Sequence, residues 1–201
     1  TQDNFDRGIQ GIYAKLTDWY WFHANDCIHD FWLLPGDELT TRQDRAFESF
    51  SALQPSNSHI NYYWQVAYWI SGRSNTMLSL IDNVADGIYI DEDLKDIHRG
   101  EALFLRALVF YRLWSYFGTA PVVTDRITGL GEQTKPVAST GTQMLDQAIT
   151  DLTTAAGLLP EKWEDKYIGR ATSDAAYGLL VKCYVTRACY GGGNADYTAA
   201  I

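Results

Sequence analysis

Residues 99–118 constrain the fold of this chain more than any other stretch. Leu103, Ala107, Phe110, Trp114 and Phe117 recur at the i, i+3, i+4, i+7 spacing of one helix face. Phe104, Leu108, Tyr111 and Ser115 form a second row beside them. An apolar surface this wide predicts a helix covered on more than one side, and therefore helical neighbours on both. Gly118 stands where a left-handed residue ends a helix, and Pro121 follows as a stop.

The rest of the chain reads as further helices. Residues 1–7 are polar and read as loosely ordered. Ile9, Ile12, Tyr13, Leu16, Trp19, Tyr20 and His23 then predict a helix over 8–25. Pro35-Gly36-Asp37 marks a loop within 30–41, and 42–50 reads as a short helical turn. The Pro55 to Ser58 run supplies an N-cap for a helix over 59–85, with Tyr63, Val66, Ile70, Met77, Leu80, Ile81 and Val84 on its apolar face. Asp91-Glu92-Asp93 places negative charge where the dipole of the next helix favours it. Residues 122–136 lack a period and read as an extended connector. Thr140 and Gln143 fit a capping box for a helix ending at Pro160. Thr172 caps another over 173–190, which Gly191-Gly192-Gly193 ends, and Asp196 opens a last one. The expected fold is all-α: antiparallel helix pairs, 59–85 with 95–117 and 141–159 with 173–190, stacked as a tetratricopeptide-like solenoid.

Charge and cysteine usage narrow the function. A net charge of -9 argues against nucleic acid and against adsorption to an anionic membrane surface. No run of 18 apolar residues offers a membrane span, and no signal peptide pattern occurs. Cys27, Cys183 and Cys189 contain no CxxC pair and read as three buried or half-buried thiols. His23, His29, His59 and His98 lack HxxxH or HExxH spacing, so no metal is expected, and no GxGxxG, GxSxG or P-loop points to a cofactor. Trp64, Trp69 and Trp114 sit at helical spacing and read as core. Arg106 lies among apolar residues and is expected to bury its stem and pair its head with Asp151 or Asp174; Glu101 and Arg170 read as structural too.

Four ordered segments carry a pattern beyond helical spacing. The first carries Trp64, Tyr68, Ile70, Arg73 and Asn75; the second Arg99, Gly100, Glu101, Ala102, Phe104, Leu105, Arg106, Ala107, Tyr111, Leu113, Phe117, Gly118 and Pro121 to Val123. The third carries Ile149, Asp151, Leu152, Ala155, Leu159 and Pro160. The fourth starts at Gly169-Arg170-Ala171-Thr172 and runs through Leu179, Leu180, Lys182 and Tyr184. In this order the segments resemble the SusD/RagB family of outer-membrane nutrient-binding lipoproteins, and Asp37-Glu38 is similar to a short acidic motif upstream of them. The resemblance runs from about Asp37 to the end, and the family's chains are much longer, so the sequence reads as the N-terminal portion, 1–201, of a longer protein starting at a trimmed or mature Thr1.

That resemblance implies a non-catalytic, surface-exposed protein that captures an oligosaccharide or similar nutrient and hands it to a SusC-type TonB-dependent transporter. It also implies a lipid anchor on a cysteine upstream of Thr1. Glycan binding requires flat aromatic faces for sugar CH groups and polar side chains for hydroxyls. Off the helix stripes, Trp32 and Tyr62, beside Asp37 and Arg42, are the candidate contacts. Two alternatives are a TPR-like scaffold that binds another protein, and an α/α-toroid glycosidase using Asp37 and Glu38 as acid and base.

Overall fold

The computed structural model describes residues 1–20, 33–36, 40, 46–50, 53–129, 131 and 135–201. Seven α-helices occur among them: α1 (Gln2–Tyr20), α2 (Ala46–Ser49), α3 (Ser58–Asp82), α4 (Glu92–Phe117), α5 (Gln143–Leu158), α6 (Ser173–Arg187) and α7 (Gly193–Ala199). No β-strand occurs among the described residues; Pro121 and Ala138 make one isolated antiparallel bridge in the connector. The all-α, TPR-like architecture is the one expected. The chain divides into two compact units, one made of Thr1–Ile12 with Ile70–Ile201 and the other of Tyr13–Trp69.

Within the first unit the helices pack in chain order, α4 on α5, α5 on α6, and α6 on α7. Its core holds Ile9 and Ile12 of α1, Leu105, Phe110 and Leu113 of α4, Met144, Leu145 and Leu152 of α5, and Cys183 of α6, all without solvent exposure. Gly100 permits the closest approach of α4 to the end of α5: a Cβ there would lie 3.1 Å from Leu158 Cβ and Leu159 Cγ. Within Tyr13–Trp69, Tyr63, Val66 and Ala67 of α3 and Phe47 of α2 are buried, and Phe47 stacks on His59 with ring centroids 6.2 Å apart.

The helix ends show how far local chemistry decides structure. Asn57 Oδ1 accepts from the backbone N–H of His59 at 2.8 Å and caps α3. Asp91 Oδ1 accepts from the N–H groups of Asp93 and Leu94 and caps α4. Thr172 caps α6 through the N–H of Ala175. Gly118, at φ +69°, ends α4 with its N–H on Trp114 O at 2.8 Å. At α5 only half of the capping box forms. Gln143 Oε1 accepts from the Thr140 N–H, but α5 starts at Gln143, and Thr142 occupies the cap position with its hydroxyl donating to Asp146 Oδ2 at 3.4 Å and not accepting from a backbone N–H.

Several expectations fail for tertiary reasons. α1 starts at Gln2 rather than residue 8, because Phe5 packs on Tyr89 and Asp6 pairs with Arg170. The short helical turn expected within 42–50 is present as Ala46–Ser49, with 42–45 outside the described residues, whereas α3 ends at Asp82 rather than at residue 85. α6 stops at Arg187, three residues early, where a π-turn over Ala188–Gly192 intervenes. On α4 the second buried row is Ala102, Leu105, Val109 and Leu113, whereas Phe104, Leu108 and Tyr111 are half-buried and Ser115 is exposed. Which flank of the wide stripe goes inside depends on where α5 lies, which periodicity does not encode. Leu80 and Trp69, expected in the core, are exposed.

Phe110→Ala empties a fully enclosed site and is expected to lower unfolding free energy by about 3–5 kcal/mol. Phe104→Ala, at a half-buried position, is expected to cost less. Urea denaturation midpoints of the two variants check the order.

Candidate functional site

Of the four candidate sugar contacts, Trp32, Asp37 and Arg42 lie outside the described residues, as does Glu38. Tyr62 lies on α3 and is half-buried. Its ring meets Trp69 edge-on at 6.4 Å, two helical turns further along the same face. Trp69 is 45% exposed, and the Lys15 ammonium sits over its ring at 4.6 Å. The Lys15 head also pairs with Asp18. Tyr62 and Trp69 together make an aromatic surface with polar neighbours. Trp69 was missed as a surface group because helical spacing cannot tell an apolar residue facing a neighbour from one facing water.

The polar residues of the recognisable segments do other work. Arg106 forms a bidentate pair with Asp151, both contacts at 2.7 Å, and its Nη1 donates to Asn75 Oδ1 at 2.9 Å and Thr124 O at 3.2 Å. Asp151 also accepts from Gln147 Nε2 at 2.9 Å, and Asn75 Nδ2 donates to Val123 O at 2.8 Å. One guanidinium thus joins α3, α4, α5 and the connector. The expected partner Asp151 is the one found. Arg73 Nη1 donates to Gly11 O on α1 at 2.5 Å.

Arg170 repeats the arrangement one helix later. It donates two hydrogen bonds to Glu101, at 2.7 and 2.6 Å, and a third to Asp6 Oδ1 at 2.6 Å. Its guanidinium lies over Trp163 at 4.7 Å, and Trp163 Nε1 donates to Ala171 O at 2.7 Å. Asp6 Oδ1 also meets His98 Nε2 at 3.2 Å, and His98 Nδ1 meets Tyr89 Oη at 3.0 Å. Burial pushes the His98 pKa down, and the nearby Arg170 charge adds to this, outweighing the pull of Asp6. A neutral ring fits both bonds: Nε2–H donates to Asp6, and Nδ1 accepts the Tyr89 hydroxyl proton. Burial raises the Asp6 pKa, but the Arg170 hydrogen bonds and charge more than offset it, and the carboxyl ends below its usual range. Burial and the Asp6 charge together hold the Tyr89 phenol protonated well past its usual range.

The cysteines are not all alike. Cys183 is buried, and loss of solvent pushes its thiol up to about 12. Cys189 is exposed, contrary to expectation, because the π-turn carries it off the packed face of α6. Cys27 lies outside the described residues. Among the described residues no three His, Cys, Asp or Glu side chains gather to hold a metal, and no helix is long and apolar enough to cross a membrane.

Two outcomes follow from the buried pairs. Arg106→Ala leaves Asp151 buried without its cation and is expected to lower stability by about 3–5 kcal/mol, measured by chemical denaturation. His98 and Asp6 both have folded pKa values below their usual 6.5 and 3.8, so the unfolded chain takes up protons first at each. Stability is therefore expected to fall as pH drops below 6.5, and again below 3.8. Thermal melts across pH 8 to 5 check the first step, which His98→Gln should flatten.

Comparison with known proteins agrees with this architecture. The SusD-like family model, described as starch-binding and associating with the outer membrane, matches residues 37–185. SusD-like protein P2 of Formosa agariphila is 25% identical over 152 residues, covering 76% of this chain and 29% of that protein. A SusD superfamily protein from Parabacteroides distasonis superimposes with a TM-score of 0.82 at 21% identity, over 98% of this chain and 42% of that one. The surface glycan-binding protein A from Bacteroides uniformis gives a TM-score of 0.78 at 21% identity, over 100% of this chain and 44% of its own. The chain spans less than half the length of each of these relatives. With residues 37–185 matched to the family model and the helical frame shared with its solved structures, the chain belongs to the SusD/RagB family.

Proposed function

We propose that these residues form the helical N-terminal part of a non-catalytic glycan-binding protein. It works at the outer surface of the outer membrane, held by a lipid anchor, and delivers its ligand to a SusC-type TonB-dependent transporter. The observation that carries this reading is the family match over residues 37–185. The glycan-binding relative from Bacteroides uniformis, with the same fold, supports the ligand class. Trp32, Asp37, Arg42 and Tyr62 are the proposed contacts, and the exposed Trp69 joins Tyr62. An aromatic pair on one helix face suits the CH surface of a sugar ring, and the neighbouring Lys15 and Asp18 suit its hydroxyls.

Among the described residues, the arginine-paired carboxylates favour binding over hydrolysis; Asp37 and Glu38 lie outside them. A glycosidase needs one carboxyl kept protonated near neutral pH and a second facing it across the bond. Here Asp6, Glu101, Asp151 and Asp196 each accept hydrogen bonds from an arginine, and the pKa values of Asp6 and Asp196 are lowered. That environment is the reverse of what a general acid requires.

Isothermal titration against a panel of neutral and acidic oligosaccharides is the test. Saturable binding is expected without release of reducing ends, and affinity should fall in Trp32→Ala, Tyr62→Ala and Trp69→Ala while the melting midpoints of the Tyr62 and Trp69 variants barely move. Product release would replace the reading with a hydrolase.

A further inference from the structure

The run Gly191-Gly192-Gly193, which local chemistry explains only as a helix stop, does more than stop a helix. Gly191 and Gly193 adopt φ of +115° and +66°, which side-chain-bearing residues rarely do. Gly192 is required for space: a Cβ there would fall 1.7 Å from Asp196 Oδ2 and 3.2 Å from Arg187 O. The turn therefore lets the Asp196 carboxylate fold back beneath it. Beside the turn, where α6 gives way to α7 and α5 begins, lies an open cavity of about 420 Å³ lined by Thr142, Asp146, Arg187, Tyr190 and Asp196, among others. Its size falls in the range of small-molecule sites.

The polar side of this cavity is a fixed cluster. Arg187 donates Nε and Nη2 to Asp196 at 2.8 and 2.6 Å, and Nη1 to Asp146 Oδ1 at 2.7 Å. These bonds use three of the five guanidinium N–H groups and leave lone pairs free on both carboxylates. A ligand here meets spare donors and spare acceptors held in place. The cluster carries two negative charges and one positive, so an anionic ligand meets net repulsion while the arginine opposes a bare cation. An uncharged group that both donates and accepts hydrogen bonds suits it, and a sugar hydroxyl is such a group.

The apolar side is Tyr190. Its ring packs against Trp114 at 87° with centroids 4.6 Å apart, yet 68% of its surface stays in water. Trp114 is itself buried, and its Nε1 donates to Gly141 O at 3.1 Å. Tyr190 is thus a propped, solvent-facing aromatic at the rim of a polar cavity, and little ordering remains to be done when a flat ring lies against it.

We propose that this corner is a sugar subsite separate from the Tyr62–Trp69 surface, taking one pyranose ring of a neutral glycan and disfavouring uronate or sulfated rings. Tyr190 supplies the platform, and Arg187, Asp146 and Asp196 bind the hydroxyls. The inference rests on the glycan-binding reading but names a place and a charge preference that the reading does not contain.

The experiment titrates the full-length protein that contains these residues with neutral laminarin- and starch-derived oligosaccharides and with acidic polygalacturonate-derived ones, by calorimetry and aromatic fluorescence. Wild-type protein is expected to prefer the neutral ligands. Tyr190→Ala should weaken them about tenfold, and Tyr190→Phe, which keeps the ring, should retain them. Asp146→Asn, which removes the net charge of the cluster, should narrow the gap between neutral and acidic ligands. Melting curves establish that each variant is folded, and Tyr190→Phe keeps the test open should Tyr190→Ala fail to fold, since loss of neutral binding in Tyr190→Phe overturns the platform. If Tyr190→Ala binds as wild type while Tyr62→Ala or Trp69→Ala loses affinity, the corner is overturned and the glycan-binding reading stands. A preference for acidic ligands overturns the charge argument. Absence of binding to every glycan overturns both readings.

Discussion

Arg106 and Arg170 are charged groups nearly deprived of water, with side chains 8% and 10% exposed, and the helical frame is arranged around satisfying them. Removing an arginine from water is unfavourable unless carboxylates and carbonyls replace the lost hydration. Arg106 finds Asp151, Asn75 and Thr124 O; Arg170 finds Glu101 and Asp6. The partners of Arg106 come from three different segments of chain and those of Arg170 from two. Sliding any helix by one residue would strand a charge in the interior. Apolar packing of α4 against α5 tolerates small shifts of leucine and alanine, but a bidentate arginine pair does not. The ion pairs therefore fix the register that the hydrophobic core only approximates.

This explains why the polar residues of the recognisable segments are uninformative about ligand. Asn75, Glu101, Arg106, Asp151 and Arg170 act inside the frame and Arg73 at its surface, each holding one segment to another. They mark the scaffold, which many members of a family can share while binding different molecules. The proposed ligand contacts are instead groups that reach water, Tyr62, Trp69 and Tyr190. Those are specified by where a loop or turn happens to place a ring, and no spacing rule reports it.

The aromatic residues illustrate both outcomes. Trp114 and Trp69 share the same helical periodicity with apolar neighbours, and both read as core. Trp114 is buried with its indole N–H on Gly141 O, whereas Trp69 stands at the surface beneath Lys15. Tyr190 was hidden for a different reason. It looks like the last residue of an amphipathic helix, but the π-turn at Ala188–Gly192 swings it out toward Asp146 of another helix. Asp146 and Arg187, 41 positions apart, can share a site only after the chain has folded.

Local chemistry settled the existence and type of the long helices, most of their caps, the left-handed Gly118 and the pairing of Arg106 with a carboxylate. Each of those depends on neighbours within a few residues, or on the near-certainty that a charge among apolar residues must be paired. Tertiary structure decided the early start of α1, the buried flank of α4, the exposure of Trp69 and Cys189, and the gathering of Tyr190, Arg187, Asp146 and Asp196 around one cavity. Those depend on which distant surface arrives where, and the free energy of that docking is spread over contacts that no single stretch of sequence contains.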